Sequence, residues 1–128
     1  MSIETTLNLV GNLVADPELR RTSAGIAVVD FTIAATPRVL DRATNEWRDG
    51  ETLFQRSTAW RDLAEHIAAS LHKGDRVFAS GALRSRTWQT DAGEKRTSVD
   101  LEIDEIGPSL RYATVTVSRA RRGEAAQE

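Results

Sequence analysis

The chain has 128 residues, of which 40% are hydrophobic and 28% charged, and its formal net charge is −2. These values are typical of one globular domain that is long enough to bury a core. The absence of cysteine excludes disulfides, thiolate metal sites and cysteine nucleophiles, and no apolar run approaches the ~20 residues that cross a bilayer.

The first part of the chain predicts two strands separated by a turn. From Thr5 to Val14 leucines recur at every second position, and Gly11 falls on the same alternation. A glycine inside a strand marks a bulge or a bend, which a small closed barrel requires. Pro17 ends this strand because it has no N–H to donate to a ladder, and alternating apolar residues predict a second strand over about 26–35.

The spacing of the apolar residues changes in the middle of the chain. Residues 37–50 are polar and predict a loop, and a third strand follows over roughly 51–59. Between Trp60 and His72, apolar residues four apart predict one amphipathic helix. Lys73-Gly74 is a plausible C-terminal stop, because a cation complements the helix dipole and glycine can adopt a left-handed turn.

A long hairpin follows the predicted helix. A fourth strand begins near Arg76, alternation resumes at 99–103, and Asp91-Ala92-Gly93 marks the turn between them. A nucleic-acid base could stack on an exposed indole while cations meet its phosphates, although a solvated hairpin whose indole folds back on the barrel fits equally well. The aromatic and basic residues around the tip are Arg84, Arg86, Trp88, Lys95 and Arg96.

The order of elements indicates the fold. Three strands, a helix and two strands are typical of an all-β OB-fold, a five-stranded Greek-key barrel with one helix between strands 3 and 4. We place this domain at residues 1–110. Residues 111–118 alternate and are rich in β-branched side chains, so they predict an extra C-terminal strand at a subunit interface. Residues 119–128 are predicted to be a short flexible tail.

The charge distribution allows a binding surface in spite of the acidic total. Residues 1–110 contain 13 basic and 17 acidic side chains, whereas residues 111–128 contain 4 and 2. Arginine outnumbers lysine 15 to 2, which suits phosphate and base contacts, although genome base composition could produce the same bias. Any nucleic-acid interface must therefore be a local stripe on an acidic body.

Three blocks of sequence carry a family resemblance. In their order and spacing the chain resembles bacterial single-stranded DNA-binding proteins, from about residue 5 to residue 106. The blocks are Asn8–Leu13 with Asp16–Arg20, then Asp62–Glu65 with Leu71–Val77, and finally Gly81–Trp88 followed by Gly93 and Arg96.

The resemblance implies a function and a set of site residues. It implies an OB-fold that assembles as a homotetramer, a dimer of dimers, and binds single-stranded DNA without sequence readout in replication, repair or recombination. It places no cofactor, and it implies a cytoplasmic, nucleoid-associated protein, in line with the absence of a basic-then-apolar leader. The aromatics that it places on bases are Phe54, Trp60 and Trp88, and the cations that it places on the backbone are Arg56, Lys73, Arg84 and Arg86.

Several positions depart from the family's pattern. Val39 stands where an aromatic residue is frequent, and nearby Trp47 could replace it. Gln55 and Asp62 stand where a histidine and a lysine are common, which lowers the positive charge and should weaken binding. Residues 123–128 lack the acidic, phenylalanine-ended tip with which family members recruit replication and repair proteins. We therefore expect no recruitment by that route, as in a specialised paralogue.

Other function classes have less support. His66 and His72 are six apart, so they do not share a helix face or form a metal pair, and no phosphate loop or nucleophile motif is present. We expect no enzyme activity, no metal and no membrane partner. Two alternatives stay open: a replication-restart or RNA-binding OB-fold, and a structural assembly subunit that uses Trp47, Trp60 and Trp88 as interface anchors.

Overall fold

The computed structural model describes residues 4–120, and this part of the chain contains eight strands and one helix. In chain order they are β1 (Thr6–Leu13), β2 (Glu18–Arg21), β3 (Ala27–Ala35), β4 (Arg38–Asp41), β5 (Glu46–Asp49), β6 (Leu53–Trp60), α1 (Arg61–Ser70), β7 (Arg76–Gln89) and β8 (Lys95–Pro108).

Five of the strands close into a barrel. They follow the order β1–β7–β8–β6–β3, and β3 returns to β1 through the pairs Asn12–Ala34 and Leu13–Ile33. Neighbouring strands are antiparallel except β6 and β8, which run parallel. The short β2 pairs with β3. The predicted five-stranded OB-fold barrel, with its helix after the third barrel strand, is confirmed.

Two glycines allow strands to approach one another closely. A Cβ on Gly11 would collide with the carbonyl oxygen of Ala34 at the seam between β1 and β3, and one on Gly81 would collide with the carbonyl oxygen of Glu102. The register between β7 and β8 shifts at Ser80/Gly81. The predicted bend at Gly11 is thus a close approach of two strands, and the bulge lies in β7 instead.

The barrel interior is filled by alternate residues of the strands. Val29 and Ile33 of β3, Val77 of β7 and Leu101 of β8 are fully buried. Ile67 of α1 joins the same hydrophobic cluster, so the apolar stripe of the helix packs against the barrel as the periodicity predicted. Intervening residues such as Phe54 on β6 and Arg86 on β7 point outward and are exposed.

The segment predicted as a polar loop at 37–50 is largely a hairpin. β4 and β5 pair from Arg38–Asp49 to Asp41–Glu46, so the loop prediction was wrong. The connecting turn ends at Asn45, whose φ of 60° lies in the left-handed region that asparagine tolerates. This hairpin forms a two-stranded sheet separate from the barrel sheet.

The helix is shorter than predicted. It begins at Arg61, rather than Trp60, and ends at Ser70, two residues before His72. Leu71 leaves the helix in an extended conformation, and the following turn is fixed because the Lys73 backbone N–H donates to an Asp16 carboxylate oxygen at 2.8 Å. The helix thus ends three residues before Lys73, while Gly74 adopts the left-handed conformation that was predicted for it, with φ of 91°.

The C-terminal segment has two parts. In the single chain, residues 111–118 belong to no strand; the predicted strand needs a neighbouring subunit, so it stays a prediction. Most of the predicted tail, including the end at 123–128, lies outside the described residues. Within residues 4–120 no helix is long and apolar enough to span a membrane.

Candidate nucleic-acid interface

β6 presents a stripe of aromatic and basic side chains to the outside of the barrel. Ser57 and Ala59 are buried and face the core. Because strand residues alternate between two faces, the positions between them point outward. Phe54 and Trp60 are 65% and 41% exposed, and Arg56 lies between them along the strand.

β7 continues this surface on the other side of β8. Arg84, Arg86 and Trp88 alternate along the outer part of β7 and are exposed. β8 lies between β7 and β6 in the sheet, and two observations place the side chains of the outer strands together. Asp100 of β8 contacts both Arg56 and Arg86, and one shallow pocket is lined by Thr58, Trp60, Arg84, Asp100 and Glu102.

Six of the predicted site residues therefore share one continuous surface, which we call the aromatic–arginine face. Three aromatic faces are available for stacking and three guanidinium groups for phosphate, the combination with which proteins bind single strands. Its members are Phe54, Arg56, Trp60, Arg84, Arg86 and Trp88.

Arg86 also covers part of Trp88. The guanidinium carbon of Arg86 lies 5.0 Å from the centroid of the indole, within the range of a cation–π contact. Trp88 is 43% exposed, so its indole remains accessible beside the guanidinium. The pair therefore presents an exposed aromatic ring directly beside a guanidinium group.

The arginines of this face are paired with carboxylates. Arg84 donates to Glu102 at 2.9 Å and to Glu4 at 3.1 Å, and these hydrogen bonds, Glu102 first, raise the pKa of Arg84. Asp100 lies 3.9 Å from Arg56 and 3.6 Å from Arg86, measured to Nε. Asp100 and Glu102 of β8 thus lie among the arginines of the face.

The remaining four predicted residues are not on the aromatic–arginine face as we define it. Arg96 is closest, since it pairs across the hairpin with Trp88, but its guanidinium donates to Glu94 at 2.9 Å. Lys95 pairs with Gln89, and so points to the opposite side of the hairpin. Lys73 lies in the turn between α1 and β7, and Trp47 is on β5 of the separate two-stranded sheet.

Gln55 does not lie on the exposed surface, where its departure from the family pattern was expected to weaken binding. Its side chain is buried, and Nε2 donates to the backbone oxygens of Arg56 and Val99, both at 2.9 Å. β6 and β8 share only two backbone pairs, Ser57–Leu101 and Thr58–Glu102. The amide of Gln55 therefore extends the junction between these strands and supports the face from beneath.

The pairing of carboxylates with the arginines of the face was not predicted from the sequence. A signal for Asp100 was available, because a tight turn centred on Ala92 fixes the hairpin register and places Arg84 opposite Asp100. Glu4 is brought in by β1, far away in sequence, and nothing local points to it. Among the described residues, no three histidine or acidic side chains are grouped so that they could hold a metal ion.

Comparisons with known proteins agree with this geometry. The profile of the Single-strand binding protein family matches residues 5–109. A single-stranded DNA-binding protein of Paenarthrobacter aurescens is 59% identical over 122 residues, which cover 95% of this chain and 71% of that protein. For a protein of the same description from Mycobacterium leprae the identity is 57%, with 95% and 73% covered.

A solved structure is also similar. The small single-stranded DNA-binding protein from Streptomyces coelicolor superimposes with a TM-score of 0.72 at 37% sequence identity. The match covers 85% of this chain and 97% of that one.

Proposed function

Because this chain belongs to the single-strand binding protein family, we propose that it binds single-stranded DNA without reading its sequence and protects the strand in replication, repair or recombination. The observation that carries the proposal is the aromatic–arginine face, where three exposed aromatic side chains and three arginines meet on β6 and β7. No catalytic residue is needed for this function, and none is proposed.

The aromatic side chains and the arginines of this face bind different parts of the strand. Bases stack on Phe54, Trp60 and Trp88, which requires no particular base because every base has a π-face. Phosphates bind Arg56, Arg84 and Arg86, whose planar guanidinium groups can donate two parallel hydrogen bonds to one phosphate. The strand then lies across β6, β8 and β7, with β8 beneath it.

The outlying cations and Trp47 extend the path. Arg96 at the hairpin tip lies next to Trp88. Its guanidinium can exchange the contact with Glu94 for one with a phosphate. Lys73, Lys95 and Trp47 would contact a longer strand that leaves the face toward the helix end, the far side of the hairpin and the β4–β5 sheet. These contacts stay predictions, and each is testable by single substitution.

A homotetramer is also proposed. Within residues 4–120, β1 pairs with β7 along residues 6–12 but with β3 only at residues 12–13, so one edge of its first half is open. Val10 and Phe78 pair across β1 and β7, and both side chains are exposed. An open edge beside apolar side chains fits a second copy of the chain, and residues 111–118 would add a strand to a neighbouring subunit.

We place the protein in the cytoplasm, in association with the nucleoid, where its substrate is found.

One titration tests the proposed function. Intrinsic tryptophan fluorescence is followed as oligo-dT, an RNA of the same length and duplex DNA are added, each at two salt concentrations. We expect quenching by oligo-dT at the lowest concentration, and weaker binding at higher salt because phosphate contacts release counterions. Equal or tighter binding of RNA would favour the RNA-binding alternative. No binding of any of the three would favour a structural subunit.

A further inference from the structure

We propose that Asp100 limits the affinity of the aromatic–arginine face, because it holds a fixed negative charge between two arginines that would bind phosphate. The inference rests on the proposed function and concerns how tightly, rather than whether, the strand is held. An acidic residue of β8 would thus set the strength of binding to a ligand that is itself negatively charged.

The position of Asp100 supports this role. Its two carboxylate oxygens are directed to different arginines, Oδ1 to Arg56 at 3.9 Å and Oδ2 to Arg86 at 3.6 Å. Both distances exceed those of hydrogen bonds, so the donors of these guanidinium groups are not consumed by Asp100 and can turn to a phosphate. A phosphate held between Arg56 and Arg86 would then stand close to the Asp100 carboxylate and be repelled by it.

Asp100 differs from the other carboxylates of the face in its burial. Its side chain is 17% exposed, against 40% for Glu102 and 44% for Glu4. The two glutamates are longer and more exposed than Asp100, so they can rotate into water when Arg84 binds a phosphate instead. Asp100 has a short stem and lies next to Ser98, whose hydroxyl is 3.4 Å from Oδ1. Its charge therefore stays in place when the strand binds.

The size of the effect follows from Coulomb repulsion. For unit charges about 6 Å apart, an effective dielectric constant between about 40 and 80 corresponds to about a three- to tenfold change in the binding constant. Asp100→Asn removes the charge and keeps the shape of the side chain. We expect it to bind a labelled dT oligomer about three- to tenfold more tightly than the parent protein at low salt. Near 1 M salt, where the screening length is about 3 Å, the difference should vanish.

Matched variants separate placement from net charge. Asp104→Asn changes the net charge by the same amount on the same strand, and Asp104 forms no ion pair in the described part of the chain. It should leave the affinity within about a factor of two, because exposed charges farther away are screened. Asp100→Glu keeps the charge on a longer, more mobile stem and should bind with an affinity between those of the parent protein and Asp100→Asn. Asp100→Ser should bind more tightly than the parent even if the asparagine variant folds poorly.

The outcomes distinguish this inference from the proposed function. If the parent protein does not bind oligo-dT, the proposed function itself fails. If the parent binds and both Asp100→Asn and Asp100→Ser are unchanged, the inference is overturned. Weaker binding by these variants also overturns it and would make Asp100 a residue that positions Arg56 and Arg86 for phosphate. An equal gain in Asp104→Asn would attribute the effect to net charge alone.

Discussion

Trp88→Ala separates stacking from charge on the aromatic–arginine face. Arg86 lies 5.0 Å from the centroid of the indole, and 43% of the residue is exposed, so we assign one stacked base to this ring. Stacking is worth about 1–3 kcal/mol per base by alanine substitution. A loss of about 1.4 kcal/mol, or tenfold in affinity, is therefore expected. The dependence on salt should not change, because no cation is removed.

The assay is fluorescence anisotropy of a labelled dT oligomer, since removal of a tryptophan would alter the intrinsic signal. Trp88→Phe is the matched control; it keeps an aromatic face and should retain most of the affinity. Trp47→Ala, made in parallel, tests the β4–β5 hairpin independently, and a loss there would extend the site to that sheet. If Trp88→Ala keeps both the parent's affinity and its thermal unfolding curve, stacking on Trp88 has no part in binding.

Three further substitutions test charge, packing and the support of the face. Arg86→Ala should make the log–log dependence of the binding constant on salt shallower by about 0.7, the value for one phosphate contact on a single strand; an unchanged slope would remove Arg86 from the phosphate path. Gly81→Ala should lower the free energy of unfolding, measured in urea, by about 3 kcal/mol or more, because its Cβ would meet the backbone of β8. Gly107→Ala, which has no atom within 4 Å of its Cβ, should stay within about 0.5 kcal/mol, and similar losses in both would contradict the packing argument. Gln55→Ala should cost about 1–3 kcal/mol, because two backbone acceptors lose their donor. Gln89→Ala on the exposed hairpin serves as its control and should cost far less.

The parts of the fold that sequence could predict are those specified locally. Alternation over β3 and β6 and the helical period that follows β6 are properties of neighbouring residues, and each was found within a few positions. The long hairpin was also predictable, because one tight turn at 91–93 fixes its register. The β4–β5 hairpin was missed because its strands have four residues each and no apolar alternation to mark them.

The site was predictable in its residue types but not in its electrostatics. Alternation placed Arg84, Arg86 and Trp88 on one side of their strand, and the family resemblance added the residues of β6. That Arg56 stands beside Asp100 depends on the parallel junction of β6 and β8, a contact between segments 44 residues apart. Such a pairing has no local signal, so the contact between Arg56 and Asp100 could not be foreseen from the sequence.

The most direct test of the central claim is to find where a bound strand touches the protein. Ultraviolet light crosslinks an oligo-dT strand to the aromatic side chains on which its bases stack, and mass spectrometry of the digested complex locates the crosslinked residues. We expect crosslinks at Phe54, Trp60 and Trp88 on the aromatic–arginine face. Crosslinks confined to Phe78 and Tyr112, which are exposed elsewhere on the molecule, would contradict the proposed interface.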